Sequence, residues 1–243
     1  MLHGKRARQA ARTAGGDVEA VLNIGRSPDI DPFLVSTLLS VRLQLHPHLK
    51  IELSSRLSSD LVHDVLAGSL DLAMVIDALE SPLLSMLEIS RSPFYITMPE
   101  HDPLAKRDSL TLEAMDGREW VLFERQEHPQ LYDSILRTAV ERQIVPTNVH
   151  HVMTAEEAFL FITQGAVAFL TKSGALRLTK TNSKRFACGV SIRPLQESTL
   201  SLQTFLVSRA DNDSKLASEL VRAFVRKLSL FPGAKQLTLP LTA

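Results

Sequence analysis

Between Lys50 and Ile76 the chain changes periodicity twice. Ile51 and Leu53 alternate with polar neighbours, Leu61 pairs with Val65 and Val62 with Leu66 at i, i+4, and an apolar run from Leu70 to Ile76 is broken only by Asp71. Period two, then helical spacing, then a continuous apolar run predicts a strand, a helix and a second strand in one βαβ crossover. Ser58 or Ser59 is the expected N-cap, a hydroxyl able to accept from a free N–H of the first turn, and Gly68 stands where a left-handed residue stops the helix. The closing strand, apolar almost throughout, is expected to be covered on both faces.

The rest of the chain alternates in the same way. A short strand over 21–26 is followed by Ser27-Pro-Asp-Ile-Asp-Pro32, where Asp31 is the expected cap of a helix from Pro32 carrying Phe33, Leu34, Leu38, Val41 and Leu45. Leu84 to Ile89 and Phe94 to Met98 predict two strands with a bend at Ser92-Pro93, and the turn-rich Pro99 to Asp108 marks a first passage between lobes. A second alternation follows: strand Trp120 to Phe123, helix Leu131 to Gln143, strand Asn148 to Val152, helix Ala155 to Thr163, strand Val167 to Leu170. Thr179 to Gly189 is polar and basic, a surface excursion, and Val190 to Pro194 is a brief strand. Thr199 to Ser208 alternates and returns to the first lobe, and Ser214 to Leu230 forms a last helix. These elements predict an α/β protein of two lobes, one from residues 18–100 with 199–231 and one from 101–198, with a loose tail over 232–243.

Composition narrows the partners. Lys plus Arg equals Asp plus Glu at 27 each, so no global field draws this chain to nucleic acid or an anionic membrane. The single cysteine, Cys188, rules out an internal disulfide, and no apolar stretch has the length of a bilayer span. A cytoplasmic location is the expectation. The opening MLHGKRARQAARTAGG is basic and Ala-rich but lacks the apolar centre of a secretory signal.

Pro47-x-x-x-Ile51-x-Leu53, then Ser58-x-x-Leu61, then Gly68-Ser-Leu-Asp71-Leu-Ala73 resembles the effector-binding domain of LysR-type transcriptional regulators. Asn23-Ile24-Gly25 is similar to that domain's opening strand, His101-Asp-Pro-Leu-Ala105 to its HPLA turn, and Thr154 through Lys172 to its hydroxyl-capped helix and GVAFL strand, together spanning about 18 to 230. The resemblance implies a two-lobed, type II periplasmic-binding-protein-like fold with two crossover segments and a small effector held in the cleft. His3 to Ala14 resembles the last turns of the family's linker helix, so residues 1–17 are expected to be its remnant, with DNA bound only through an N-terminal winged helix-turn-helix absent here. The family also implies a homodimer or higher oligomer, with the helix from Pro32 to Leu45 of one chain against the helix from Leu131 to Gln143 of the other; Leu131, Ile135 and Val140 form a compatible stripe.

Candidate ligand contacts lie where strands give way to helices. In the first lobe these are Asp29 and Ile30 after the opening strand, Ser58 and Ser59 at a helix start, and Asp77 after the apolar strand; in the second, Phe123, Glu124, Arg125, Met153, Thr154 and Thr171. Hydroxyls and helical N–H groups form a donor set suited to a carboxylate, and Arg125 has a fork that matches one. Thr171 stands where many family members carry proline, and Asp29 and Asp31 would oppose an anion unless they cap or turn outward. The expected ligand is a small anionic metabolite. His46 with His48 and His150 with His151 lack the spacing and third ligand of a metal site, so no metal or cofactor is expected. Cys188 beside Lys184 and Arg185 reads as a bystander thiol. No G-x-S-x-G elbow, P-loop or strand-linked G-x-G-x-x-G is present, so the chain is read as a sensor rather than an enzyme. A transporter's solute-binding protein, stripped of its signal, and a truncated regulator acting through dimerisation are the alternatives.

Overall fold

The computed structural model describes residues 20–77, 80–182 and 189–231, with backbone alone over 179–182. The expected linker remnant, Cys188 and the tail lie outside the described residues. The chain forms two compact units, one from the residues up to Ser90 with those from Gln203 onward, the other Arg91–Leu202. It passes between them within two strands, β4 (Leu84–Pro99) and β9 (Ser201–Arg209). The turn-rich stretch at Pro99 to Asp108, read above as the first passage, belongs to the second unit and carries a 3-10 turn over Pro103–Lys106.

The first unit is built on β1 (Val21–Arg26), β2 (Lys50–Ser55), β3 (Leu72–Ile76) and β9, in the order β2-β1-β3-β9. β1 runs parallel to β2, from Val21 opposite Lys50 to Arg26 opposite Ser55, and parallel to β3, with Ile24 opposite Leu72. β9 joins β3 antiparallel, Ala73 opposite Val207. The crossover is present: β2, then α2 (Ser58–Leu66), then β3, with β1 between the two strands. All five residues of β3 are buried, as its continuous apolar run requires. β2 is the sheet edge, and Leu53 is 44% exposed despite the alternation.

Helix α1 (Pro32–Leu45) starts as the sequence predicts: the Asp31 carboxylate accepts from the Phe33 N–H at 2.9 Å and Pro32 takes the first turn. Leu34, Leu38 and Val41 are buried, while Phe33 and Leu45 of the same predicted stripe are 44% and 46% exposed. The last helix, α6 (Lys215–Leu228), is capped by Ser214 and packs beside α1, with Lys227 Nζ donating to Ser40 Oγ at 2.8 Å. On the other sheet face, Leu61 and Val65 of α2 pack with Leu70, Ala73, Val75, Leu84 and Val207. A Cβ on Gly25 would lie 2.4 Å from Leu61 Cδ2 and 2.7 Å from Leu70 Cδ1, so the glycine is what lets α2 approach β1. Gly68, at φ 72°, ends α2 as predicted.

The second unit has the order β6-β5-β7-β4, with β8 on the far side of β4. β5 (Glu119–Phe123) is parallel to β6 (Asn148–Val152) and β7 (Val167–Thr171), and β4 is antiparallel to β7 and β8 (Val190–Pro194). Helices α3 (Pro129–Glu141), α4 (Ala155–Ile162) and α5 (Lys172–Asn182) follow β5, β6 and β7. Trp120 is fully buried, lies 5.0 Å from Phe169 between ring centroids, and donates from Nε1 to the Met115 carbonyl at 2.9 Å.

Three expectations need correction. The segments 84–89 and 94–98 are one 16-residue strand. Pro93 is exposed and the pairing with β7 begins at Phe94, so the missing N–H at Pro93 falls outside that ladder. Thr179 to Asn182, read above as the start of a polar surface excursion, close a helix over Lys172–Asn182, although Lys, Ser, Gly and Thr there give no strong apolar period. In the stripe on α3, Leu131 (8% exposed) and Ile135 (3%) belong to the core of their own unit, and only Val140, 77% exposed, faces outward.

Candidate functional site

In each unit the parallel strands end at a common edge from which helices begin, and the predicted contacts lie on those two edges. In the first unit the ends of β1, β2 and β3 deliver the loop containing Asp29 and Ile30, the start of α2 with Ser58 and Ser59, and Asp77. Ile30 is buried at 1%, Ser59 is exposed, and Asp77 adopts a left-handed φ of 58° with its N–H donating to the Gln203 carbonyl at 3.3 Å.

Ser58 does something other than the predicted capping. The N-cap position of α2 is Leu57, with no side-chain cap, and Ser58 Oγ instead accepts from the Ile76 N–H at 3.0 Å. The cause is the strand register. β1 stops at Arg26, opposite Met74, and the Ser27 N–H takes the Met74 carbonyl. Two residues further, Ile76 turns its N–H to the same side, where no β1 residue remains to accept it. The serine hydroxyl fills that place, and the first turn of α2 keeps its N–H groups without a side-chain acceptor.

In the second unit Phe123 ends β5 and Glu124 follows it, with the Glu124 N–H donating to the Val152 carbonyl at 2.9 Å. Thr154 caps α4: its Oγ1 accepts from the Glu157 N–H at 3.2 Å, while Glu157 Oε2 accepts from the Met153 N–H at 2.7 Å. Met153 itself is 50% exposed. Thr171 Oγ1 accepts from the Gly174 N–H at 3.3 Å and lies 3.2 Å from Ser173 Oγ, so a hydroxyl starts α5 where a family proline would stiffen the turn. Ser58, Thr154 and Thr171 each accept a backbone N–H. A hydroxyl that accepts an N–H keeps its own proton, which can be donated to an acceptor such as a carboxylate.

Arg125 is committed within its own unit. Its Nε and Nη2 donate to the two oxygens of Asp133 on α3, each at 2.7 Å. The fork holds the Asp133 carboxyl below its ordinary range and raises the Arg125 guanidinium. Asp133 was not foreseen, because a contact eight residues away across a loop and helix start leaves no periodic trace. Beneath α3 lies a shallow, mainly apolar depression whose walls include Phe94, Phe123, His128, Leu131, Tyr132 and Phe169. Three of these four histidines bind neighbours: His46 meets Glu219 at 3.3 Å, His150 meets Glu119 at 2.9 Å, and His151 lies 2.8 Å from the Tyr132 hydroxyl. Among the described residues no group of three His, Cys, Asp or Glu side chains could hold a metal ion, and no helix is long and apolar enough to cross a membrane.

Comparison with known proteins gives a concordant result. A family model described as the LysR substrate binding domain matches residues 15–229. The HTH-type transcriptional regulator AlsR of Bacillus subtilis (strain 168) is 21% identical over 212 residues, 87% of this chain and 68% of that protein. Among solved structures, a full-length BenM variant superposes with a TM-score of 0.76 at 15% identity, covering 98% of this chain and 77% of that one. The regulatory domain of CcmR from Synechocystis PCC6803, solved in complex with 2-PG, gives 0.69 at 13% identity, covering 86% and 98%. These likenesses establish the fold, that of effector-binding domains with the type II periplasmic-binding-protein-like arrangement.

Proposed function

The chain belongs to the LysR substrate-binding-domain family, and from that membership we propose that it senses a small anionic metabolite and reports it to a transcription regulator's DNA-binding part. The observation that carries the reading is the hydroxyl set: Ser58 on one unit's sheet edge and Thr154 and Thr171 on the other's, each accepting a backbone N–H, with the open first turn of α2 beside Ser58. In the proposed complex the ligand contacts come from these strand-end edges, with Asp29, Ser59, Asp77, Phe123, Glu124 and Met153 as further contacts. The ligand carries a signal only as far as it binds one conformation of the chain more tightly than another.

Recognition of DNA is assigned to a winged helix-turn-helix outside the matched region. The chain is proposed to act in the cytoplasm, as a homodimer or higher assembly, and to release its ligand unchanged. Exposed Phe33, Leu43 and Leu45 on α1 and Val140 on α3 support pairing between copies.

A thermal-shift screen against small carboxylates, amino acids, aromatic acids and sugars tests the proposal. A ligand at one hundred times its Kd adds about 2.7 kcal/mol, which in a chain of this size raises Tm by about 5–10 °C. A dose-dependent rise confined to one acidic class is expected. A rise only with neutral sugars would overturn the anionic reading, and no rise with any class would overturn sensing.

A further inference from the structure

We propose that Arg26 and Ser27, where β1 stops, take the anionic group of the ligand, and that this group is a carboxylate. The inference rests on the reading of the strand-end edges as the ligand site and adds two residues that the hydroxyl set leaves out.

Arg26 differs from the other guanidinium groups of the described residues. Arg42, Arg118, Arg193 and Arg209 are partly buried as it is, and each donates to a carbonyl or a carboxylate. Arg177, the remaining partly buried one, also has a contact of its own. Arg107, Arg222 and Arg226 have no side-chain partner among the described residues, but all three are exposed and water serves them. Among the described residues Arg26 alone is both partly buried and without an acceptor. The carboxylates that follow it in the chain are used elsewhere: Asp31 accepts from the Phe33 N–H, and Asp29 has another contact. A cation drawn partly out of water and left unpaired costs stability, and an incoming anion removes that cost.

Ser27 repeats the pattern with a neutral group. It is 1% exposed, yet no hydrogen bond holds its hydroxyl among the described residues. Its backbone is fully used, the N–H donating to the Met74 carbonyl at 3.0 Å and the carbonyl accepting from the Ile30 N–H at 3.2 Å. In a parallel ladder that carbonyl would have received the Ile76 N–H; Ser58 Oγ stands in its place. The Ser58 hydroxyl therefore sits at the ladder position that Ser27 vacates, one residue from Arg26. A guanidinium fork and two hydroxyls able to donate match the two oxygens of a carboxylate. Asp29 and Asp77 share this edge, so its field favours a single negative charge over the two of a phosphoryl group.

The test uses the 243-residue chain and its Arg26→Met, Arg26→Lys and Ser27→Ala variants. Without any carboxylate in the buffer, Arg26→Met is expected to raise Tm by about 1–4 °C, because an unpaired charge leaves a partly buried place; an arginine kept for structure would give a fall. Mass-spectrometric mapping of phenylglyoxal adducts is then run with acetate, succinate, benzoate or inorganic phosphate, against chloride at matched ionic strength. At least one carboxylate is expected to slow modification of Arg26 about threefold or more, while Arg107, Arg222 and Arg226 keep their rates. Calorimetric titration with that carboxylate should show at least about a tenfold loss of affinity in Arg26→Met, partial recovery in Arg26→Lys, which lacks the fork, and about a tenfold loss in Ser27→Ala. A lower Tm in Arg26→Met, or no carboxylate slowing Arg26 more than the three controls, would overturn the proposal, and protection by phosphate alone would overturn the carboxylate class. An acidic ligand from the thermal screen that binds Arg26→Met as tightly as the parent would leave the sensing function standing and remove Arg26 from it.

Discussion

Replacing Ser58 by alanine separates two physical roles for one hydroxyl. As a helix cap it would be worth about 1 kcal/mol, and its loss would leave an N–H at an exposed helix end where water can reach it. In its observed role the loss falls on Ile76, whose residue is 1% exposed and whose N–H has Ser58 Oγ as acceptor at 3.0 Å, just past the last β1 residue on that side. A buried donor left without an acceptor costs about 1–3 kcal/mol, so Ser58→Ala should lose about 2 kcal/mol. Ser59→Ala, exposed and one residue further on, should lose less than about 0.5 kcal/mol. The sole tryptophan, Trp120, sits in the other unit, so its fluorescence would follow the wrong part of the chain. Urea denaturation followed by circular dichroism gives the stability change, and amide hydrogen exchange gives its location, with protection of the Ile76 N–H collapsing in Ser58→Ala alone. A loss under about 0.5 kcal/mol with Ile76 still protected would refute the reasoning, and an equal loss in Ser59→Ala would restore the cap.

Other changes probe the same logic. Burial alone would raise the Asp102 carboxyl, but the hydrogen bonds from Arg118 and the Leu104 N–H outweigh it and hold the group below its ordinary 3.8. Its folded pKa therefore lies under its unfolded one: the stabilisation is complete above about pH 4 and is lost as pH falls through the folded value. Asp102→Ala should cost about 3 kcal/mol at neutral pH and flatten the acid limb of a stability-against-pH curve; an unchanged limb would count against the pair. Thr97 is fully buried on β4 with no hydrogen-bond partner for its Oγ1, so Thr97→Val should be neutral or stabilise by up to about 1 kcal/mol, read from urea midpoints; a loss above 1 would mean the hydroxyl has a partner. Gly25→Ala forces a methyl against Leu61 and Leu70 and should cost about 1–3 kcal/mol, with a neutral result in the same assay showing that α2 yields. Gln143 holds φ 58° just past α3, and Gln143→Gly should stabilise by about 1 kcal/mol; a loss would show that this turn is unstrained.

The sequence carried the strand and helix order well because most elements have a strong period and a chemical stop. Asp31 before Pro32, Thr154 with Glu157, Ser214 and Gly68 are all local signals, and the structure uses each as its chemistry directs. Failures arose where a distant partner decided the outcome. Ser58 has the chemistry of a cap, yet the register of β1 against β3 sends its oxygen to Ile76. Pro93 marks a bend in sequence terms, but it lies within one continuous strand, just outside the ladder to β7. Leu131 and Ile135 show helical spacing without showing which neighbour they meet. For the candidate site, the edge positions were legible from strand-to-helix transitions, whereas the Asp133 fork on Arg125 was not, since it depends on how α3 leaves its loop.

The central claim is that a small ligand engages the strand-end edges. Hydrogen–deuterium exchange of the whole chain, with and without a saturating hit from the thermal screen, tests this most directly. The account predicts slower exchange in the segment from Ser27 to Asp31 and the first turn of α2, together with the residues after β5 and around Thr154, all rising with the same apparent Kd. Protection absent from these edges while Tm still rises would contradict it.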